Sequence, residues 1–308
     1  MLGAVLVTLL LTLGFSSGAG AEQRKNGFDL SSTSVPAREI LKGGPPRDGI
    51  PALTHPRVVP AAESPWKDDE TVIGVSLNGE IRAYPIAILD WHELVNDTVG
   101  GQPILVSYCP LCGTGMVFER EIGGQVRSFG VSGLLYQSDV LLYDRGSESL
   151  WSQIASEAVS GPERGTRLEI VRSSQMSWRE WRERHPDTTV LSAETGHRRD
   201  YGKTPYRGYA SSSRLYFPAP IDSRYHPKTP TLGVRTREGA ARAYPAPELE
   251  ANGGRVTEMF AGHQVQITYD SATRTFEVEA PAGVEVIEGY WFAWAAFHPK
   301  STVYAAAK

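Results

Sequence analysis

Cys109 and Cys112 are the only cysteines among the 308 residues, and they stand in "YCPLCGTG", with Pro110 between them and Gly113 directly after. A Cys-Pro-x-Cys-Gly run has the form of a metal-binding knuckle. A tight turn aims both sulfurs at one point, and Gly113 supplies the backbone freedom such a turn needs. Soft thiolates favour zinc or copper(I) over hard cations. Two sulfurs fill only half of a tetrahedral site and there is no second C-x-x-C, so the remaining ligands must be histidine, carboxylate or water. His92 in "DWHELVND" is the first candidate, followed by His197 in "TGHRRDYG" and His226 in "RYHPK".

The same pair supports two other readings. In an oxidising compartment a C-x-x-C pair can cycle between dithiol and disulfide. Thioredoxin-like exchange ranks lower, because the residues after Cys112 are Gly-Thr-Gly and then the strand-like "MVFER", so no helix N-terminus is available to lower a thiol pKa. The third reading is an inert disulfide. A loop this short yields only roughly 2 kcal/mol of stabilisation in the chain-entropy model, a small gain for a protein with a core of this size.

Further polar groups cluster in the stretch "SFGVSGLLYQSDVLLYDRGSESLWSQIASEAVSGPERGT", residues 128–166. Asp139, Tyr143 and Trp151 are candidates to contact a bound cofactor or ligand, beside Ser138 and Gln153. Asp139 interrupts an apolar run, and burying its carboxylate requires a partner. Asp144-Arg145 reads more simply as an ion-paired turn. The chain contains no G-x-S-x-G elbow, H-E-x-x-H helix, P-loop or dinucleotide-binding glycine pattern, which removes the commonest hydrolase, zincin and nucleotide-enzyme classes.

An internal repeat supplies the elements that position these residues. "VIGVSLNGEIRAYP" (72–85) matches "TLGVRTREGAARAYP" (231–245), "GGQPILVSYCPLCGTGMVFER" (100–120) matches "AGHQVQITYDSATRTFEVEA" (261–280), and "WRERHPDTTVL" (181–191) matches "WAAFHPKSTVY" (294–304). Each copy predicts alternating strands ending at Tyr-Pro, a short helix, a hairpin, and a Trp-containing helix that stops before His-Pro. The expected fold is α+β: two diverged copies of a mostly antiparallel-sheet unit with short helices, the first copy enlarged by 128–166. The units are a first repeat at 51–191, a connecting segment at 192–230 that is too long for an ordinary loop, and a second, shorter repeat at 231–308. Residues 22–50 read as a loosely docked N-terminal arm.

The second copy also serves as an internal control. His185 and His298 match, as do Tyr84 and Tyr244, which favours structural roles for all four. In place of "CPLCGTGMVF" the second copy has "DSATRTF", about three residues shorter, so the hairpin closes without cysteines. His92 aligns with Asn252 and is absent from the second copy too, which groups it with the cysteine pair.

The formal net charge of -4, with no long Lys/Arg run, argues against a nucleic-acid surface. Residues 1–21 carry an apolar run ending at Ala19-Gly20-Ala21, the pattern of a secretory signal peptide, so an exported chain in the periplasm or outside the cell is expected. No later segment is apolar enough for a transmembrane helix. The expected partner is a metal ion or small molecule. Finally, "RAYP", "WHELVNDTVGG", "YCPLCGTG", "FGVSGLLYQSDVLLYDR", "SLWSQI", "TGHRRDYG" and "RYHPK" together resemble the bacterial family known as domain of unknown function 3179, from about residue 48 to 304. The resemblance implies an exported or envelope protein and carries no activity with it.

Overall fold

The computed structural model describes residues 24–306. The apolar N-terminal stretch read as a signal peptide therefore lies outside the described residues. The chain is mostly β, 42% strand against 12% helix, and its larger sheets are arranged as a five-bladed β-propeller. This corrects the α+β, two-copy expectation. The helices are real but only six or seven residues long, Ile86–His92, Trp178–Arg184, Ala246–Ala251 and Trp291–Phe297. Two turns of helix cap a sheet and cannot form a layer of their own.

The matched sequence blocks fold alike, sheet for sheet. Strands Ser174–Ser177, Thr71–Leu77, Glu80–Pro85 and Thr189–Leu191 lie side by side in that order, with Val58–Pro60 at the edge and only the Glu80–Pro85/Thr189–Leu191 pair parallel. Glu285–Tyr290, Pro230–Arg235, Ala241–Pro245 and Thr302–Val303 repeat that order, again with the last pair parallel. A glycine sits under a tryptophan in each sheet. A Cβ added at Gly74 would stand 2.2 Å from the Trp181 ring, and one at Gly233 would stand 2.0 Å from Trp294. The meanders Leu94–Val99, Gln102–Cys109, Thr114–Glu119 and Arg255–Phe260, His263–Asp270, Thr275–Glu279 form the second matched pair.

The fifth sheet has no twin. It runs Glu157–Ser160, Leu150–Ser152, Asp139–Asp144, Phe129–Tyr136, so the segment that enlarges the first copy is a blade in itself. Its edge is completed by Ile40–Lys42 from the N-terminal segment. Ile40, Phe28 and Leu30 are buried, so this segment is integral to the sheet and not loosely docked. One apolar cluster joins Leu105, Cys112 and Trp151 to Trp291 and Phe292, so the first copy, the unique blade and the second copy share a core. Residues 192–229 carry no strand or helix, yet Tyr209 and Lys228 within them are buried. Among the described residues no helix is long and apolar enough to cross a membrane.

Candidate metal centre and its cavity

Strands Gln102–Cys109 and Thr114–Glu119 pair with Cys109 opposite Thr114, leaving a four-residue turn, 110–113. In the second copy Asp270 faces Thr275 across 271–274, so the two turns are of equal length and the apparent shortening in the aligned sequences is an alignment slip. Gly113 and Arg274 share the left-handed conformation, at φ 60° each. The Cys112 N–H donates to the Cys109 carbonyl at 3.1 Å, and the Cys112 carbonyl accepts from Tyr290 N–H at 2.8 Å, which fixes the turn against the second copy. Both cysteines are free thiols and both are buried.

The third member of the cluster arrives from the unique blade. Its central hairpin turns through Gln137 and Ser138, both at positive φ (53° and 65°), a pairing that ordinarily selects Asn-Gly. This turn aims the Ser138 carbonyl at both sulfurs, 3.5 Å from Cys112 and 3.9 Å from Cys109, and sets Asp139 beside them. The two Sγ atoms and an Asp139 carboxylate oxygen lie within 4.8 Å of one another. Asp139 Oδ2 accepts from Ile154 N–H at 3.1 Å, and the Ile154 carbonyl in turn accepts from Arg235 of the second copy at 2.6 Å. Asp139 Oδ1 is buried without a partner. Burial pushes the Asp139 carboxyl up to about 7 and raises both thiols, Cys112 the more strongly. A cation among these three side chains would supply the missing compensation.

The histidines stand apart from this cluster. His92 ends its helix with both ring nitrogens engaged: Nδ1 donates to the Pro51 carbonyl and Nε2 accepts from the Tyr201 hydroxyl, each at 2.7 Å. Burial lowers its pKa to about 4, so the ring is neutral at pH 7. His197 is exposed and packs tilted against His92 with ring centroids 5.1 Å apart, while His226 is exposed and accepts from Lys228 N–H. Tyr143 donates to Asp48 at 2.5 Å and Trp151 donates to Asp144 at 3.1 Å. The first contact ties the Asp48 loop to the unique blade, the second lies within that blade, and neither reaches the cluster.

Glu93, adjacent to His92, is the residue that sequence reasoning passed over. It is buried, with 7% of its surface exposed, and its φ of 56° is rare for a side chain of this kind. Its carbonyl accepts from Tyr108 N–H at 2.8 Å, and at the corresponding place Gly254 accepts from Tyr269 N–H at 2.7 Å with φ 80°. The usable signal was a glutamate in a turn for which the other copy employs Gly253-Gly254. Burial, reinforced by the negative charges of Asp139 and Asp90, pushes the Glu93 carboxyl up to about 8, and no hydrogen bond relieves it among the described residues. Glu93 and Cys109 line a cavity of about 240 Å³, walled by Leu135 and Val140 of the unique blade and by Tyr206 and Phe217 of the connecting segment.

Fold and site together define a mostly β, propeller-type protein with a buried dithiol and carboxylate cluster beside a small apolar cavity. The chain belongs to the family described as "Protein of unknown function (DUF3179)", whose model matches residues 47–284. No curated protein and no solved structure matches it.

Proposed function

We propose that this protein binds a soft or borderline metal ion, zinc in preference to copper, through Cys109, Cys112 and Asp139. The observation that carries this reading is a buried group whose two sulfurs and carboxylate oxygen fall within 4.8 Å of one another, with Asp139 Oδ1 making no hydrogen bond outside the group. Tetrahedral zinc with bonds of about 2.3 Å to sulfur and about 2.0 Å to oxygen holds two sulfurs roughly 3.8 Å apart and a sulfur and an oxygen roughly 3.5 Å apart, so contraction by about 1.3 Å at most completes three ligands. The hard carboxylate oxygen favours zinc over copper(I), which prefers sulfur throughout. Three protein ligands leave a fourth position for water or a substrate atom, as in catalytic rather than structural zinc sites. The apolar run and Ala-x-Ala pattern at residues 1–21 support export of the chain to the periplasm or beyond.

The test is elemental analysis of the reduced protein after zinc loading and desalting, with Cys109→Ser, Cys112→Ser and Asp139→Asn in parallel. One zinc per chain is expected, with affinity lowered about tenfold or more in each variant. Substoichiometric metal in the wild type under reducing, metal-replete conditions rejects the reading. Thiol-disulfide exchange is the second reading, favoured by the proximity of two free thiols. Burial works against it, because it raises both thiols and depletes the thiolate that exchange requires.

A further inference from the structure

The cavity beside the cluster has a charge pattern of its own. Its walls are apolar and aromatic, Leu135, Val140, Tyr206, Tyr216 and Phe217 among them, and its lining includes one charged side chain, Glu93. No lysine or arginine lines it. Burying a carboxylate without a counter-charge is costly, and here the cost is compounded by backbone strain at a position that the second copy fills with Gly254. Residues held in sparsely populated backbone regions persist where the surroundings over-determine them, and they concentrate at ligand-binding sites.

Other groups add to the negative potential. Asp139 and Asp90 both act on Glu93 through space. A divalent ion held by two thiolates and a carboxylate leaves the loaded centre net negative, so metal binding does not reverse the sign seen from the cavity. Aromatic rings present electron-rich faces to cations, and Tyr216 both lines the cavity and is 52% exposed.

From these features we infer that the cavity is a binding site for a small organic ammonium ion with an apolar or aromatic body, its cationic head on the Glu93 carboxylate and its body against Tyr206, Tyr216 and Phe217. The inference rests on Glu93 and the cavity walls and stands independently of the metal reading. An anionic molecule of the same shape finds no cationic partner in the lining and cannot draw Glu93 into its charged form. A neutral one gains apolar contact alone.

The probes are phenethylammonium, phenethyl alcohol and phenylacetate, titrated calorimetrically into the full chain in its metal-free and zinc-loaded forms. Phenethylammonium is expected to bind about tenfold or more tightly than phenylacetate in both forms. Glu93→Gln removes that preference while the binding of phenethyl alcohol stays within about twofold, and Tyr216→Ala weakens both amine and alcohol. Glu93→Gly, which the backbone accepts at this turn, serves as a second charge-free variant should the glutamine form fold poorly. Equal binding of amine and carboxylate, an amine preference that survives loss of Glu93, or no amine binding in either form overturns the inference. Amine binding without zinc binding sinks the metal reading alone, and zinc binding without amine binding sinks this inference alone.

Discussion

Glu93 and Gly254 occupy the same position in two copies of one turn: each carbonyl accepts the N–H of a matched tyrosine, Tyr108 or Tyr269, and each backbone has a positive φ. Glycine adopts that conformation without steric cost and glutamate does not. The first copy thus retains a strained, buried carboxylate where the scaffold itself is satisfied by hydrogen.

Glu93→Gly is therefore expected to stabilise the metal-free protein by about 1 kcal/mol or more, since it relieves both the backbone strain and the burial of an unpartnered carboxyl group. Glu93→Ala removes the carboxyl and keeps the strain, so it should gain less. Urea midpoints at constant m-value compare the two, and a destabilised glycine variant would contradict the strain account.

The paired glycines under tryptophan give a second expectation. Alanine at Gly74 or Gly233 places a methyl group 2.2 or 2.0 Å from an indole ring atom, with Trp181 and Trp294 held by hydrogen bonds to Thr188 and Ser301. Each substitution should cost about 2–3 kcal/mol or more through overpacking. Thermal unfolding of both variants provides the comparison, and a neutral effect in either would mean that its tryptophan moves freely.

Stability should fall on acidification through a named histidine. His298 packs on Trp294 with ring centroids 4.1 Å apart, and its Nε2 is buried without a partner. Burial lowers its pKa to about 3, well below the value of about 6.5 for an unfolded chain. The unfolded state binds the proton first, so the contribution of this group is fully present above pH ~6.5 and is lost as pH falls towards ~3. His298→Gln should flatten the fall in melting temperature across that window. An unchanged slope would place the acid sensitivity elsewhere, His92 being the next group to replace.

Metal should couple to stability through Asp139. In wild type, zinc in excess is expected to raise the unfolding free energy by about 4 kcal/mol at a thousand times the dissociation constant, and a chelator should reverse it. With its affinity lowered at least tenfold, Asp139→Asn should lose about 1.4 kcal/mol or more of that gain. It should also match or exceed metal-free wild type in stability, because the buried carboxylate is gone. A chelator effect of equal size in the variant would dissociate the two.

The repeat is where sequence and structure agree most closely in detail, and where they also part. Matched blocks predict matched strand orders, because alternation and the Tyr-Pro corner are local signals carried by neighbouring residues. The same signals gave undue weight to helices that prove to be two turns long, and so to an α+β layering that the sheets replace. Residues 128–166 read as an insertion, yet their successive hairpins form a blade whose edge is completed by Ile40–Lys42, about 90 residues upstream. No local pattern announces a pairing at that separation.

The candidate site divides the same way. Residue type and spacing by themselves determined that Cys109 and Cys112 share a tight turn, that the second copy lacks them, and that a buried Asp139 needs a partner. Which side chain joins the sulfurs was decided by tertiary structure alone. His92, nearest in the motif, spends both ring nitrogens on Pro51 and Tyr201, while Asp139, 27 residues beyond Cys112, is carried to the sulfurs by a two-residue turn. Glu93 acquires its significance only when the backbone conformation and the cavity are visible together. Ligation and burial are set by distances in space, and a sequence specifies those only through the complete set of strand pairings.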